Sequence, residues 1–322
     1  VQDRYGPAGE VLYLDERPVP SVGVEQVLVR VEALSINAYD WHMVSASPAF
    51  VRLAGFGVSK PKRAIPGYDL AGVVEAVGSE ASEFSVGDRV FGWNGGSAAE
   101  FVAVGEERIT RIPDGVDMHT AASMAMAGFT ALQGLRDHGG VEANHRVLVL
   151  GASGGVGQFV VQIAKSMGAH VTGVCGTHNV DTVRRLGADA VVDYSTTDVY
   201  GLDAEYDVVV HVGGQYPLGR LRKVMSDDGV LVLIGSDEGG SLLGPARFLF
   251  GQVIRSWFTS QRVAQFTAGE SKSDLEELAR LLADGDLAVA VDHTAPLEDL
   301  GKEIDYLREG HAKGKVVIEV TP

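Results

Sequence analysis

The stretch that decides the fold is Arg146-Val-Leu-Val-Leu150, which runs directly into Gly151-Ala-Ser-Gly-Gly-Val-Gly157. An apolar run, a glycine-rich turn and a helical apolar pattern that stops at Gly168 predict the order strand, turn, helix. Glycines let the backbone approach a pyrophosphate, and a helix N-terminus offers N–H groups with a partial positive charge. The stretch therefore predicts a dinucleotide-binding turn. A tight βα turn without a ligand is the alternative.

The same rhythm continues along the middle of the chain. Short β-branched runs recur at 171–175, 190–194, 207–212 and 230–234, with helical stretches such as 182–186 between them. Strands that are apolar on both faces are typical of a parallel sheet, because helices cover each side. We predict an α/β fold whose core is a doubly wound parallel sheet of the Rossmann type.

The two ends of the chain have a different sequence pattern. Residues 27–34 alternate in polarity and dense turn signals follow, which predicts short strands in a small barrel or sandwich. Beyond residue 265, Ser273 with Glu276 predicts a capping box before a helix over 275–282, and Thr294-Ala-Pro296 predicts the start of another helix. A last strand is predicted over 315–320. We expect domains at 1–119, 120–264 and 265–322, with the last segment returning to the first domain.

Composition excludes several classes of protein. The chain has 322 residues, of which 45% are apolar, and its net charge of −16 makes nucleic acid and anionic membranes poor partners. The single cysteine, Cys175, can build neither an internal disulfide nor a cysteine zinc cluster. No apolar stretch is long enough to span a bilayer, and no signal peptide is recognisable, so we expect a cytoplasmic protein.

The residues after the second strand of the sheet bear on the choice of cofactor. Sites for NAD usually have Asp or Glu at this point, where the carboxylate binds the ribose hydroxyls. Here the run 171–174 is followed by Cys175-Gly176-Thr177-His178, which contains no acid. We therefore predict NADPH rather than NADH, with Tyr194 and either Arg184 or Arg185 as further contacts. The alternative is that His178 and the arginines are merely surface residues.

Several stretches in a fixed order carry a family resemblance that spans nearly the whole chain. They are Ser35-Ile-Asn-Ala-Tyr-Asp-Trp-His42, Ile65-Pro-Gly-Tyr-Asp-Leu-Ala-Gly72, Val86-Gly-Asp-Arg-Val-Phe-Gly92, Ala127-Gly-Phe-Thr-Ala-Leu-Gln133, the Gly151–Gly157 turn, Leu186-Gly-Ala-Asp189 with Asp193-Tyr194, and Gly314-Lys-Val-Val317. Together they resemble the zinc-independent medium-chain dehydrogenases/reductases of the quinone oxidoreductase (zeta-crystallin-like) type.

The resemblance implies an architecture and an assembly. A GroES-like β-barrel catalytic domain would be followed by an inserted Rossmann domain, and the C-terminal segment would rejoin the catalytic domain. The active site would lie in the cleft between the domains, and the protein would be a homo-oligomer such as a homodimer.

The resemblance also implies roles for particular residues. Asn37 would bond near the nicotinamide ribose, Thr130 would lie beside the carboxamide, and Lys315 would reach the cleft. The alternatives are a turn asparagine, a plain helix threonine and an exposed strand lysine. The complete set of predicted cofactor-binding residues is Asn37, Thr130, Ala152, Ser153, Gly154, Gly155, Val156, Gly176, Thr177, His178, Tyr194, Val212, Gly213, Ile234, Gly235, Ser236 and Lys315.

The same stretches also bear on zinc binding and on the proton donor. Zinc-dependent relatives have a Cys and a His-Glu pair where this chain has Asn37 and Tyr68-Asp69, so we expect no catalytic metal. Tyr39 and His42 are the predicted catalytic residues, each able to act as general acid, and Tyr68 is a third candidate. Packing roles for these side chains, with water as the proton donor, are the alternative.

The predicted function is an NADPH-dependent, metal-independent oxidoreductase that transfers a hydride to a quinone or an α,β-unsaturated carbonyl compound. An enoyl-thioester or polyketide-type enoyl reductase is an alternative within the enzymes. A cofactor-binding protein with little turnover, serving as sensor or scaffold, is an alternative from another class, because the motifs indicate binding more directly than chemistry.

Overall fold

The computed structural model describes residues 1–47, 52, 57–214, 216–234, 260–310 and 312–320. The chain forms two compact units. The first unit comprises Val1–Ala127, Glu270–Gly285 and Val291–Pro322, and the second comprises Gly128–Gly269 and Asp286–Ala290.

The elements have the following bounds in chain order. The strands are β1 Gln26–Ile36, β2 Asp69–Val77, β3 Arg89–Trp93, β4 Phe101–Gly105, β5 Ile109–Arg111, β6 Arg146–Leu150, β7 His170–Cys175, β8 Ala190–Asp193, β9 Tyr206–His211, β10 Met225–Leu233, β11 Arg262–Gln265, β12 Val291–Pro296 and β13 Lys315–Glu319. The α-helices are α1 Ala8–Val11, α2 Ala38–Ser45, α3 Met118–Ala122, α4 Ala125–Gln133, α5 Gly157–Ser166, α6 Val180–Arg185, α7 Leu218–Leu221, α8 Lys272–Ala283 and α9 Leu300–Arg308.

The first unit is built on one sheet with the strand order β12-β13-β1-β2-β3-β5, and β4 also pairs with β1. All its pairs are antiparallel except β12 with β13. Strand β1 is the centre of this sheet, since β13, β2 and β4 all bond to it. Its alternating side chains Val27, Val29 and Val31 are fully buried in the core, as the period of two predicts.

The C-terminal segment differs from the sequence prediction in two places. Ser271, rather than Ser273, caps α8, because its hydroxyl accepts the N–H of Asp274 at 3.2 Å. The predicted helix start at Thr294-Ala-Pro296 is wrong, because these residues end strand β12, which is held beside β13 by parallel pairing. The helix begins at Leu300, after a short 3₁₀ turn.

The second unit is the predicted doubly wound sheet. Its strands are all parallel in the order β11-β10-β9-β6-β7-β8. The chain begins in the middle with β6, runs outward to β8 and then returns to β9 on the other side of β6. The strand order therefore reverses between β6 and β9, where ligands of such sheets bind at the carboxyl ends.

The unit boundaries fall elsewhere than the predicted breaks at 119/120 and 264/265. Helix α3 belongs to the first unit because it packs on β1 and β2. The short segment Asp286–Ala290 belongs to the second unit, although its neighbours on both sides do not. Its backbone is bound by two side chains of α5: Gln162 pairs with Ala288 and Gln158 pairs with Ala290.

Candidate functional site

The turns after β6 and β9 lie against each other at the point where the strand order reverses. Gly151 has a φ of +83°, and a Cβ built on it would lie 3.0 Å from the backbone N of Gly213. Only glycine adopts this φ freely, and a side chain would press on the neighbouring turn. The predicted residues Val212 and Gly213 are thus beside the glycine-rich turn.

The start of α5 has the shape that a pyrophosphate requires. A Cβ on Gly157 would lie 2.0 Å from the carbonyl oxygen of Gly151, so the helix touches the turn with no room for a side chain. Within the described chain, no side chain caps this helix at Val156. Ala152, Ser153, Gly154, Gly155 and Val156 all lie in this turn. The N–H groups of Gln158 and Phe159 already donate to the carbonyl oxygens of Gly154 and Val156, at 3.1 and 3.0 Å, so an anion at this helix start would bind the N–H groups that precede Gln158.

The adenosine part of the cofactor is predicted to lie at the ends of β7 and β8. Gly176 lies close to Tyr194, since a Cβ on it would be 2.9 Å from the Tyr194 hydroxyl. Thr177 and His178 are exposed, but the Thr177 hydroxyl donates to Asp193 at 2.6 Å. This hydrogen bond lowers the pKa of the Asp193 carboxyl. Asp193 ends the third strand of the sheet, and the sequence analysis used it only as part of the family resemblance, not as a carboxylate near the ribose.

Arg184 on α6 is the positive charge nearest to this end for which the structure gives an effect. Burial and then Asp193 raise the pKa of Cys175, the last residue of β7, to about 11, and Arg184 opposes this rise. Arg184 also donates to Asp181 at 3.1 Å within its own helix. Arg185 donates to Thr182 instead.

The remaining predicted cofactor residues of this unit are only partly described. Ile234 follows β10 and is 6% exposed. Gly235 and Ser236 lie outside the described residues. Thr130 lies on α4, whose last residue, Gln133, exchanges two hydrogen bonds of 2.8 Å with the backbone of Gly269.

In the first unit, Asn37 stands between β1 and α2. Its backbone N–H donates to the Asp40 carboxylate at 2.7 Å, and its side chain caps the same helix turn, so the pair is a reciprocal capping box. Asn37 therefore has the role of a turn asparagine, which was the alternative to a cofactor contact. At 8% exposure, Asn37 is buried.

Lys315 enters the same buried cluster from β13. Its ammonium donates to the Asn37 side-chain oxygen at 2.6 Å and lies 3.8 Å from Asp69 Oδ2. Lys315 is 2% exposed, so the alternative of an exposed strand lysine is wrong. Burial lowers the pKa of Lys315, which Asp69 and Asp40 oppose.

Asp69 is the acceptor at the centre of this cluster, whereas the sequence analysis considered it only in the Tyr68-Asp69 pair that replaces the zinc-binding His-Glu pair. Its carboxylate accepts the Ser35 hydroxyl at 2.7 Å, the Asn37 amide at 2.9 Å and the backbone N–H of Met126 at 2.9 Å. The sequence contains a sign of this role, because Asp69 is followed directly by the apolar residues 70–74, and the structure buries it fully. A buried carboxylate needs such partners.

Two tyrosines predicted as proton donors are brought together. The rings of Tyr39 and Tyr68 are 5.2 Å apart between centroids. The Tyr68 hydroxyl donates to Glu270 at 3.0 Å, and burial together with that carboxylate raises the Tyr68 pKa far above its usual value. Burial and Asp40 also raise the pKa of Tyr39. Both phenols therefore keep their protons at neutral pH.

His42 has a different environment. Its ring stacks on Trp41, and Nδ1 is 2.5 Å from the carbonyl oxygen of Ser47. Because a carbonyl oxygen only accepts, Nδ1 carries the hydrogen. In the neutral ring Nε2 is then unprotonated, so it can accept a proton but has none to give.

The side chains that contact Asn37 are the Lys315 ammonium and the carboxylates of Asp69 and Asp40, and a buried ammonium repels a second cation. Among the residues that the structure describes, no group of three or more His, Cys, Asp or Glu side chains could hold a metal ion. Zinc independence stays a prediction.

Comparison with known proteins supplies the class of protein. Residues 23–114 match the alcohol dehydrogenase GroES-like domain, and residues 186–318 match the zinc-binding dehydrogenase family. A chloroplastic quinone oxidoreductase of Triphysaria versicolor is 31% identical over 98% of this chain and 96% of its own. A trans-enoyl reductase of Aspergillus terreus is 33% identical over 93% of this chain and 88% of its own.

The structure agrees with these sequence matches. The quinone oxidoreductase of Coxiella burnetii superposes with a TM-score of 0.82 at 25% identity, covering 99% of this chain and 98% of that one. The chain belongs to the medium-chain dehydrogenase/reductase family and resembles its quinone oxidoreductases. It is an oxidoreductase that uses a nicotinamide cofactor and a small-molecule substrate, with a GroES-like domain and a Rossmann domain.

The comparisons leave location and assembly open. In the described part of the chain, no helix is long and apolar enough to cross a membrane. The Triphysaria relative is chloroplastic by its name, so the predicted cytoplasmic location stays a prediction. The predicted homo-oligomeric state also stays a prediction.

Proposed function

We propose that the protein uses NADPH to reduce a quinone or an α,β-unsaturated carbonyl compound without a metal ion. One observation carries the proposal: the uncapped N-terminus of α5 meets the glycine turn at Gly157 with no space for a side chain. Such a cradle fits a pyrophosphate. The nicotinamide, when bound, supplies the hydride, and the protein contributes binding and orientation.

Tyr39 is the side chain that we propose to act on the substrate. Its ring packs against that of Tyr68, 5.2 Å apart between centroids, and burial and Asp40 raise its pKa. Tyr39 stays protonated at neutral pH, so its hydroxyl can donate to the carbonyl oxygen as negative charge develops there. Water can then supply the proton that completes the reduction.

A turnover screen tests the proposed function. Purified protein treated with a chelator should oxidise NADPH steadily with quinones, enals or enones, and slowly or not at all with saturated ketones. Tight NADPH binding without turnover across the panel would favour the sensor or scaffold alternative. Activity lost on chelation and restored by zinc would contradict metal independence.

A trans-enoyl reductase is the second candidate, because the Aspergillus relative has that name and matches 93% of this chain. Both reactions deliver a hydride to a conjugated double bond. The two candidates are separated by including enoyl thioesters in the same screen. A kcat/KM for thioesters well above that for free enones and quinones would favour the enoyl reductase.

Tyr39→Phe should lower kcat/KM for enones about 10- to 100-fold, as expected for losing one hydrogen bond to a developing charge. Steady-state kinetics provides the measurement, and the NADPH dissociation constant should stay unchanged. Tyr13→Phe, at a tyrosine that is 50% exposed, is the matched control. Wild-type kinetics in Tyr39→Phe would leave water as the only donor.

Arg184→Gln should weaken NADPH binding about 10-fold while leaving NADH binding nearly unchanged, because a charge-assisted bond to the 2′-phosphate is lost. Fluorescence titration with both cofactors measures the two constants. Arg185→Gln is the matched control, one residue along the same helix. Equal losses for NADPH and NADH in Arg184→Gln, or a wild-type protein without preference, would contradict the proposed cofactor.

A further inference from the structure

An unpaired arginine lies beside the two tyrosines of the first unit. Arg63 is exposed, and within the described part of the chain its guanidinium makes no hydrogen bond and no ion pair. The chain has 43 acidic residues against 27 basic ones, so carboxylates are abundant on its surface. Arg30, Arg111 and Arg280 each bind at least one of them. Arg63 is therefore a cation whose partner has to come from elsewhere.

The backbone brings Arg63 to these tyrosines. Beyond the last residue pair of β2 and β3, the N–H of Asn94 donates to the carbonyl oxygen of Tyr68 at 2.8 Å, which keeps the two chain segments side by side. The guanidinium lies on the next residue, Gly95, where an added Cβ would overlap it and be 2.7 Å from Cζ. Gly95 is not among the described glycines with positive φ, so its missing side chain serves to make room for the guanidinium.

Charges of both signs act on Tyr39. Burial raises the pKa of its phenol most, Asp40 and Glu270 raise it further, and Arg63 opposes them. The Glu270 carboxylate is already engaged, because it accepts the Tyr68 hydroxyl at 3.0 Å. Arg63 has no such partner. The charged group that is still available beside the proposed donor Tyr39 is therefore a cation.

The stretch that ends at Arg63 is basic in an otherwise acidic protein. Lys60-Pro-Lys-Arg63 places three cations within four residues, whereas the whole chain has a net charge of −16. All three residues are exposed, and neither lysine has an ion pair with another described residue. Clustered cations of this kind attract an anion from solution. A guanidinium also presents paired N–H groups that match the oxygens of a carboxylate or a phosphate.

We propose that Arg63 binds an anionic group, a carboxylate or a phosphate, that the acceptor substrate carries in addition to its reducible carbonyl group. Two contacts, Arg63 with the anion and Tyr39 with the carbonyl oxygen, then orient the acceptor. The inference rests on the proposed function and adds a substrate class to it, the negatively charged acceptors. Neutral quinones and enones are also reduced, but they lack the contact with Arg63.

The test compares acceptors that differ only in charge. Three enones have the same reducible end, and their chains end in a methyl group, a carboxylate or a phosphate. Steady-state kinetics with NADPH gives kcat/KM for each. Wild-type protein should prefer a charged enone over the methyl compound about 10-fold, the value of one charge-assisted hydrogen bond. A preference for one anion alone identifies that anion as the ligand, and no preference for either overturns the proposal.

Arg63→Gln should abolish this preference, and Arg63→Lys should keep part of it, because lysine retains the charge but not the paired N–H groups. The ratio of kcat/KM between charged and methyl enones is the readout, since Arg63 acts on Tyr39 whichever acceptor is used. An unchanged ratio in Arg63→Gln overturns the proposal, and so does an equal loss for all three enones. Arg17→Gln, at an exposed arginine that binds Asp15, is the matched control.

Glu270→Gln should act in the opposite direction. It removes the negative charge that faces Tyr39 from the other side, so the preference for charged enones should rise about 3-fold. The glutamine oxygen can still accept the Tyr68 hydroxyl, so the tyrosine keeps its partner. An unchanged or lower preference in Glu270→Gln would place the anion away from Tyr39 and contradict the proposed orientation.

Binding without turnover separates this inference from the proposed function. Saturated ketones with the same three chain ends are titrated in the absence of NADPH, and calorimetry gives their dissociation constants. If no enone is turned over but Arg63→Gln still removes the tighter binding of the charged ketones, the proposed reaction fails and the binding role of Arg63 stays. Turnover of all three enones with equal kcat/KM keeps the proposed function and overturns the inference.

Discussion

Gly157→Ala should weaken NADPH binding at least about 100-fold, the largest effect that we expect from a single methyl group in this protein. The added Cβ would lie 2.0 Å from the Gly151 carbonyl oxygen and 3.0 Å from the Ala152 carbonyl carbon. Both are backbone atoms, so relief requires the helix to withdraw from the turn. Withdrawal moves the N–H groups that would bind the pyrophosphate. Titration of NADPH fluorescence measures the loss.

The control for this substitution is Gly219→Ala. Gly219 lies on the exposed helix α7 of the same unit, and a Cβ there meets nothing within 4 Å. It should bind NADPH like the wild type. Overpacking at Gly157 should also lower the free energy of unfolding by about 1–3 kcal/mol, which chemical denaturation measures. Unchanged affinity in Gly157→Ala would mean that the turn does not hold the cofactor.

Asp40→Asn should change how stability depends on pH, by about 4 kcal/mol between pH 4 and pH 8 relative to the wild type. Burial, with Asp69 nearby, raises the pKa of Asp40 from 3.8 to about 7, although the Asn37 N–H bond and Lys315 act in the opposite direction. Oδ1 of Asp40 is buried and accepts no hydrogen bond from the described residues, so the charged carboxylate lacks part of the solvation that water would give it.

The sign follows from the direction of this pKa shift. An acid with a raised pKa binds its proton more tightly in the folded state, so its contribution is complete below pH 4. It is lost as pH rises to about 7. Asparagine has no proton to lose, so Asp40→Asn lacks this decline. Lys315 is present in both proteins, but Asp40 raises its pKa, so Asp40→Asn also makes Lys315 easier to deprotonate.

Chemical denaturation at pH 5 and pH 8 checks this prediction. Asp40→Asn should be equal to or less stable than the wild type at pH 5, because its amide hydrogens need partners, and more stable at pH 8. Asp114→Asn, at an exposed aspartate, should follow the wild type at both values. A constant difference between Asp40→Asn and the wild type would show that Asp40 ionises normally.

The Rossmann sheet was predictable because its signals are local. Each strand from β6 to β9 is a continuous apolar run, and glycines mark the ends of α5 and α6 at Gly168 and Gly187, both with positive φ. The errors fell where local chemistry was ambiguous. Ser271 and Ser273 are both good helix caps, and Thr294-Ala-Pro296 reads equally well as a helix start or a strand end.

The sequence by itself determined the family, the glycine turn and the candidate residues around Asn37, because each depends on residues close together in the chain. Only the tertiary structure decided what Lys315 and Asp69 do. Lys315 comes from the last strand and Asp69 from the second, and both reach Asn37 because β13 and β2 flank β1 on opposite sides. Strand order brings these charges together, and no local pattern in the sequence contains it.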